Sequence, residues 1–200
     1  MGAGRVARRQ SAARSAVVSK TGRASRLIRK GAVLRFVLWL AGLMVAFNAV
    51  FYLWLAESRV FEVYLSWNAR ACALLLRVFG ESATATGTLV ASPRFGLEVK
   101  DGCDAIQPMA FLIFAMLASP VPVRLRLRLV PILVGMLVLL LLNLVRILTL
   151  FYTGVYFPSA FEPLHIDVWQ SVFIFLPLTF WLVWAQRAAR PSGTTTHAGS

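Results

Sequence analysis

A chain of 200 residues that is 58% hydrophobic and only 14% charged is too apolar for an ordinary soluble domain and describes one integral membrane domain. The formal net charge of +13 would suit a nucleic-acid binder, but its distribution excludes that. Ten basic residues and no acid precede Phe36; Arg124, Arg126 and Arg128 form a second cluster, and Arg187 and Arg190 a third. Each cluster abuts an apolar run, as the positive-inside rule expects, while all eight acids fall between Glu57 and Asp167. The charge therefore reads as membrane topology with some attraction to anionic lipid, and the expected surroundings are a lipid bilayer and no nucleic acid. Two cysteines and two histidines, scattered along the chain, do not support a metal site, and no cofactor is implied.

Residues 1–31 read as a basic, disordered cytoplasmic tail, residues 32–187 as the membrane domain and residues 188–200 as a polar C-terminal tail in which His197 is inert. The Arg-, Ala- and Ser-rich start also fits a mitochondrial transit peptide, and Arg8-Arg9 is too weak for a twin-arginine signal. Val33 to Leu55 is the first span, a retained anchor that exits on the outer side. Arg59 to Gly80 is interrupted by Glu62, Asn68, Arg70 and Arg77. With Val63, Trp67, Arg70-Ala71 and Leu74 at helical spacing, it reads as an amphipathic helix at the outer interface or on the bundle. Glu81 to Asp101, with alternation over Phe95–Val99, predicts a short β-like segment outside the membrane. Ala105 to Leu117 is a short second span, Ser119 to Arg128 an inner loop, Leu129 to Tyr152 the third span, Thr153 to Leu164 an outer loop and Ile166 to Ala185 the fourth. The expected fold is thus an all-α membrane protein with four transmembrane helices, an outer amphipathic helix and a short extracytoplasmic β-like segment.

Inside the third span, Asn143 and Arg146 are three residues apart and share one helix face. An arginine in hydrocarbon is costly and marks a functional interior by default; the alternative is an arginine that snorkels to a nearby helix end. The predicted topology brings Cys103, Arg146 and His165 to one membrane face from three helices. Those side chains suit acyl transfer: a thiol nucleophile, an imidazole acid and base, and a guanidinium for the developing oxyanion, with Asn143 as support. A Cys72–Cys103 disulfide is the competing reading of the thiol.

Asp101-Gly102-Cys103, Asn143-Leu144-Val145-Arg146-Ile147 and Phe161-Glu162-Pro163-Leu164-His165 with Asp167-Val168-Trp169-Gln170 resemble the exosortase/archaeosortase family, most like its compact exosortase H branch. The resemblance covers roughly residues 33 to 187. It implies a membrane-embedded cysteine-type protease or transpeptidase of the bacterial cytoplasmic (inner) membrane, with its active site on the extracytoplasmic face. It also implies membrane-anchored substrate proteins with a C-terminal sorting signal: a short motif, a membrane helix and a basic cluster. The implied roles are Cys103 as nucleophile, His165 as acid and base, and Arg146 as transition-state stabiliser. Where the family has a small or polar residue and then Gly after the Cys, Asp104-Ala105 stand here; Asp104 is expected to raise the pKa of the thiol. The competing function is a non-enzymatic assembly factor or transporter subunit that binds an anionic group through Arg146.

Overall fold

The computed structural model describes residues 31–121 and 123–189. The expected disorder of the basic segment before residue 31, and the inertness of His197, fall outside the described residues.

Among the described residues, three helices have the length and composition to cross a membrane, not four. They are α1 (Gly31–Leu55), α4 (Leu125–Tyr156) and α5 (Pro158–Ala188), of 25, 32 and 31 residues. The stretch expected as the second span is α3 (Ile106–Ala118), which has 13 residues. At 1.5 Å per residue it is about 20 Å long, against about 30 Å of hydrocarbon. It runs antiparallel to α4, because the turn that leads into it is bonded to Arg146 and Asn143 and its end to Arg128. The two flanking helices are correspondingly longer than the sequence implied. Arg126 and Arg128 lie within α4, and the segment expected as a loop before His165 is helical from Pro158 onwards.

Arg128 was expected in a topological charge cluster at the membrane surface. It is instead buried, and it closes the far end of α3. Its Nη1 donates to Met116 O (2.6 Å), Leu117 O (3.0 Å) and Ser119 O (3.1 Å), and its Nη2 to Val121 O (2.7 Å). The last carbonyls of a helix have no partner within it, and one guanidinium fork serves several here. At the other end of α3, Pro108 sits in the first turn, where its missing N–H costs nothing.

Helix α2 (Arg59–Val78) begins at Ser58, whose hydroxyl accepts from Phe61 N at 3.2 Å. Glu62 in its first turn and Arg77 in its last both complement the helix dipole. The helix is amphipathic as expected, but the face that packs is the other one. Phe61, Leu65, Asn68, Ala69, Cys72 and Leu76 are buried, whereas Val63, Trp67 and Leu74 are exposed. Strands β1 (Thr84–Thr86), β2 (Leu89–Ala91) and β3 (Gly96–Glu98) follow as a three-stranded antiparallel sheet in the order β1-β2-β3. Val90 of the middle strand is fully buried in the cluster that also holds Leu76 of α2. Beyond the sheet, the Phe95 ring packs T-shaped with Phe151 and its tip presses on Gly154 of α4, where any Cβ would collide with it. That close approach fastens the sheet to the α4 end nearest His165.

Two apolar clusters result. One joins α2, the sheet and the last turns of α4 around Phe51, Leu76, Val90 and Phe151, and it contains Cys103. The other joins α3, α4 and α5 around Leu112, Met116, Leu139 and Phe173, and it contains Ala105. The turn from Cys103 to Ala105 is the seam between them.

Candidate active site

The turn that carries Cys103 is built by its neighbours. Gly102 takes φ +85°, and Cys103 N–H donates to Lys100 O at 3.0 Å. Asp104 has no exposed surface; its Oδ2 accepts from Gly102 N (3.2 Å) and its Oδ1 from Ile106 N (2.6 Å). The first free amide of α3 is therefore occupied by Asp104. Ala105 stands at φ +63°, ψ 9°, in the left-handed region. An L-residue pays about 1–2 kcal/mol there and glycine nothing comparable. That is the physical reason a glycine suits this position, and the alanine here is strained.

Burial pushes the Asp104 carboxyl up to about 6. The Cys103 thiol is also pushed up: burial is the largest cause, the Arg146 charge pulls the other way, and Asp104 and Asp101 add to the rise. Asp104 thus acts in the direction the sequence predicted but ranks below desolvation. Both cysteines are free, so the disulfide reading does not hold in this structure. Cys72 is fully buried within α2, and burial alone pushes its thiol up to about 12.

The three residues singled out in the sequence meet. Cys103 Sγ lies 3.2 Å from His165 Nε2. Arg146 Nη1 donates to Gly102 O at 2.8 Å, one residue before the thiol, and the guanidinium stands 5.4 Å from the centre of the Phe173 ring. Arg146 is 5% exposed, so it does not snorkel. Its Nε is buried and has no partner among the described residues. Asn143 is fully buried and donates from Nδ2 to Cys103 O (2.9 Å) and to Asn68 Oδ1 (3.3 Å).

Four further residues hold this arrangement and were given no role at the site by the sequence. Asn68 of α2 meets Asn143, and the Tyr64 hydroxyl donates to Asp104 O, so α2 braces the thiol-bearing turn from behind. Asn68 interrupts the stripe Leu65-Ala69-Cys72, a signal that was legible once that stripe is known to be the buried one. His165 sits in a π-helical stretch, Leu164–Trp169, a wide turn frequent at functional sites. Trp169 Nε1 in the same stretch donates to Thr149 Oγ1 at 3.1 Å, and Thr149 Oγ1 donates to Arg146 O at 2.9 Å. This ties the histidine's turn to the arginine's.

Beside the turn opens a cavity of about 590 Å³ between α1, α3 and α5, with Arg146 and Gly102 on its wall. Among the described residues no group of three or more His, Cys, Asp or Glu side chains could hold a metal ion. A thiol in contact with an imidazole, next to a buried guanidinium with a free donor, is an arrangement for acyl transfer through a covalent thioester.

The family model described as transmembrane exosortase (Exosortase_EpsH) matches residues 24–170, well over half of the chain. No curated protein matches the chain. No solved structure matches it either. The family match and the Cys103–His165 contact agree: the chain belongs to the transmembrane exosortase family, as a multi-pass, cysteine-type membrane enzyme of sorting-signal processing.

Proposed function

We propose that Cys103 is the nucleophile of this enzyme, His165 its acid and base, Arg146 its oxyanion donor and Asn143 the residue that orients the thiol-bearing turn. The observation that carries the reading is the 3.2 Å contact between Cys103 Sγ and His165 Nε2. In the first half-reaction the thiol proton passes to His165 Nε2 as sulfur attacks the scissile carbonyl carbon. The carbonyl oxygen becomes an oxyanion, which the Arg146 guanidinium stabilises. On collapse the C–N bond breaks, His165 returns the proton to the leaving amine, and a thioester remains on Cys103. In the second half an acceptor hydroxyl or amine gives its proton to His165 and attacks the thioester. Collapse then breaks the C–S bond, and the thiol is re-formed with that proton. Because burial disfavours a free thiolate at Cys103, proton transfer concerted with attack fits this site better than a standing thiolate–imidazolium pair.

The substrates of this reading are membrane-anchored proteins with a C-terminal sorting signal of motif, membrane helix and basic cluster. The site is proposed to face the extracytoplasmic side of a bacterial inner membrane, within a catalytic unit spanning residues 32–187. Charge supports that orientation: Arg124, Arg126 and Arg187 lie at the ends of α4 and α5 remote from the thiol, while Asp101 and Asp104 lie beside Cys103 and Glu162 beside His165. The test is co-expression with a substrate bearing such a signal, followed by its size shift. Cys103→Ala and His165→Gln should each abolish processing with the protein still inserted. Processing that survives Cys103→Ala would remove the thiol from the mechanism.

A further inference from the structure

The cavity beside Arg146 is a slot with a polar mouth and an apolar floor. On α5, Gln170, Ile174 and Leu178 recur every four residues and line one face, about 12 Å long at 1.5 Å per residue. On α1, Tyr52 and Met44 are eight residues apart and span a similar depth. Tyr52, Gln107 and Gln170 stand at the end of the slot that holds Arg146 and Gly102, and Met44, Ile174 and Leu178 line it further along the helices, with Ile174 58% exposed where the slot is open. The slot opens between helices that cross the membrane, so what enters it arrives through the bilayer. Helix α1 is held to the rest at separate points, Phe36 on Trp181, Phe47 on Phe114 and Tyr52 on Gln107, with the slot between them.

We propose that this slot seats the first two turns of the substrate's own membrane helix, and that Gln107 and Gln170 cap its N-terminal amides; the proposal rests on the sorting-signal reading above. One turn of a helix 10–12 Å across occupies about 420–610 Å³. The cavity of about 590 Å³ therefore embraces one flank of two turns and does not enclose a whole helix. In a substrate whose motif precedes its helix, the helix starts at the level of the thiol, and its first four N–H groups have no partner within it. Those amides need acceptors in a dry place. The Gln107 amide nitrogen already donates to the Tyr52 hydroxyl at 3.1 Å, which leaves its Oε1 as the acceptor. With the helix start held at the mouth, the residues just before it lie against Cys103 and Arg146, so the slot measures the distance from the membrane helix to the scissile bond.

The test fills the slot. Ile174→Trp and Leu178→Trp should each slow processing about ten- to a hundredfold, the penalty of overpacking by one large side chain. Alkylation of Cys103 by a small uncharged maleimide should keep its wild-type rate in both, which shows the site intact. Phe175→Trp, on the outward face of the same helix, should process normally. Gln107→Leu should raise KM several-fold with kcat less affected, because it removes binding common to ground and transition states. A photoreactive residue at position 178 should crosslink to the substrate's membrane helix. Normal processing in both tryptophan variants, or crosslinks to lipid alone in the presence of substrate, would overturn the slot. A Cys103→Ala protein that still processes would instead overturn the catalytic reading on which it rests.

Discussion

Replacing Arg146 by lysine separates its charge from its geometry. The guanidinium has one bond in the structure and a second role in the proposed reaction: Nη1 holds Gly102 O at 2.8 Å, and Nη2, without a partner among the described residues, is the nitrogen left for the oxyanion. A planar fork can do both at once, whereas an ammonium on a flexible stem is a point charge that serves one position at a time. If the ammonium stays on Gly102 O, the oxyanion loses its donor, at about 2.7–4 kcal/mol. If it turns to the oxyanion, the thiol-bearing turn loses a charge-assisted bond of about 1.5–3 kcal/mol. Processing should therefore fall by about one to three orders of magnitude. Expression and insertion should be unchanged, since both side chains carry similar membrane costs. The assay is the size shift of a co-expressed substrate, normalised to enzyme level, alongside the pH profile of Cys103 alkylation. Lysine keeps the positive charge near the sulfur, so that profile should move far less than in Arg146→Gln. An Arg146→Lys protein that processes at the wild-type rate would refute the oxyanion role and leave the arginine as a structural clasp on Gly102.

Cys72→Ser should process normally and Cys103→Ser should not, and in the wild-type protein Cys103 should alkylate ahead of Cys72, whose thiol is pushed up to about 12. Asp104 is raised from 3.8 to about 6, so the folded protein holds that proton more tightly than the unfolded chain. Its stabilising effect is full below the unfolded value and is lost as pH rises through the folded one; thermal unfolding in detergent should drop across that window, and Asp104→Asn should flatten the drop. Trp169→Phe removes the bond to Thr149 and should slow processing roughly two- to tenfold through a looser His165, with Thr149→Val giving the same loss and the double variant no more. Ala105→Val, a branched side chain at φ +63°, should lower the unfolding temperature, while Ala105→Gly should stay within about 1 kcal/mol of wild type because relief of strain offsets a lost methyl and added chain entropy.

The membrane character of the chain, the helices around Val33–Leu55 and Leu129–Tyr152, and the shared face of Asn143 and Arg146 were legible in the residues alone. So were the family pattern around Cys103, Arg146 and His165 and the β-like segment after Gly80. Each depends on local order: an apolar run of sufficient length, a three-residue spacing, a motif. Tertiary structure decided the rest. Ile106–Ala118 is apolar and lies between two longer helices, yet it returns the chain inside the bundle without the length of a span. Arg128, which composition assigned to the membrane surface, closes the end of α3 instead. On α2 two apolar stripes compete, and only the packing of Leu76 with Val90 shows which one faces inward. Tyr64, Asn68 and Thr149 became site residues only when distant helices brought them to the thiol-bearing turn and to the turn of His165. In water a hydrophobic face means an inward face, but lipid is as apolar as a protein core. In such a chain hydrophobicity identifies what lies in the membrane, and it takes the packed helices to decide which side of each one meets protein and which meets lipid.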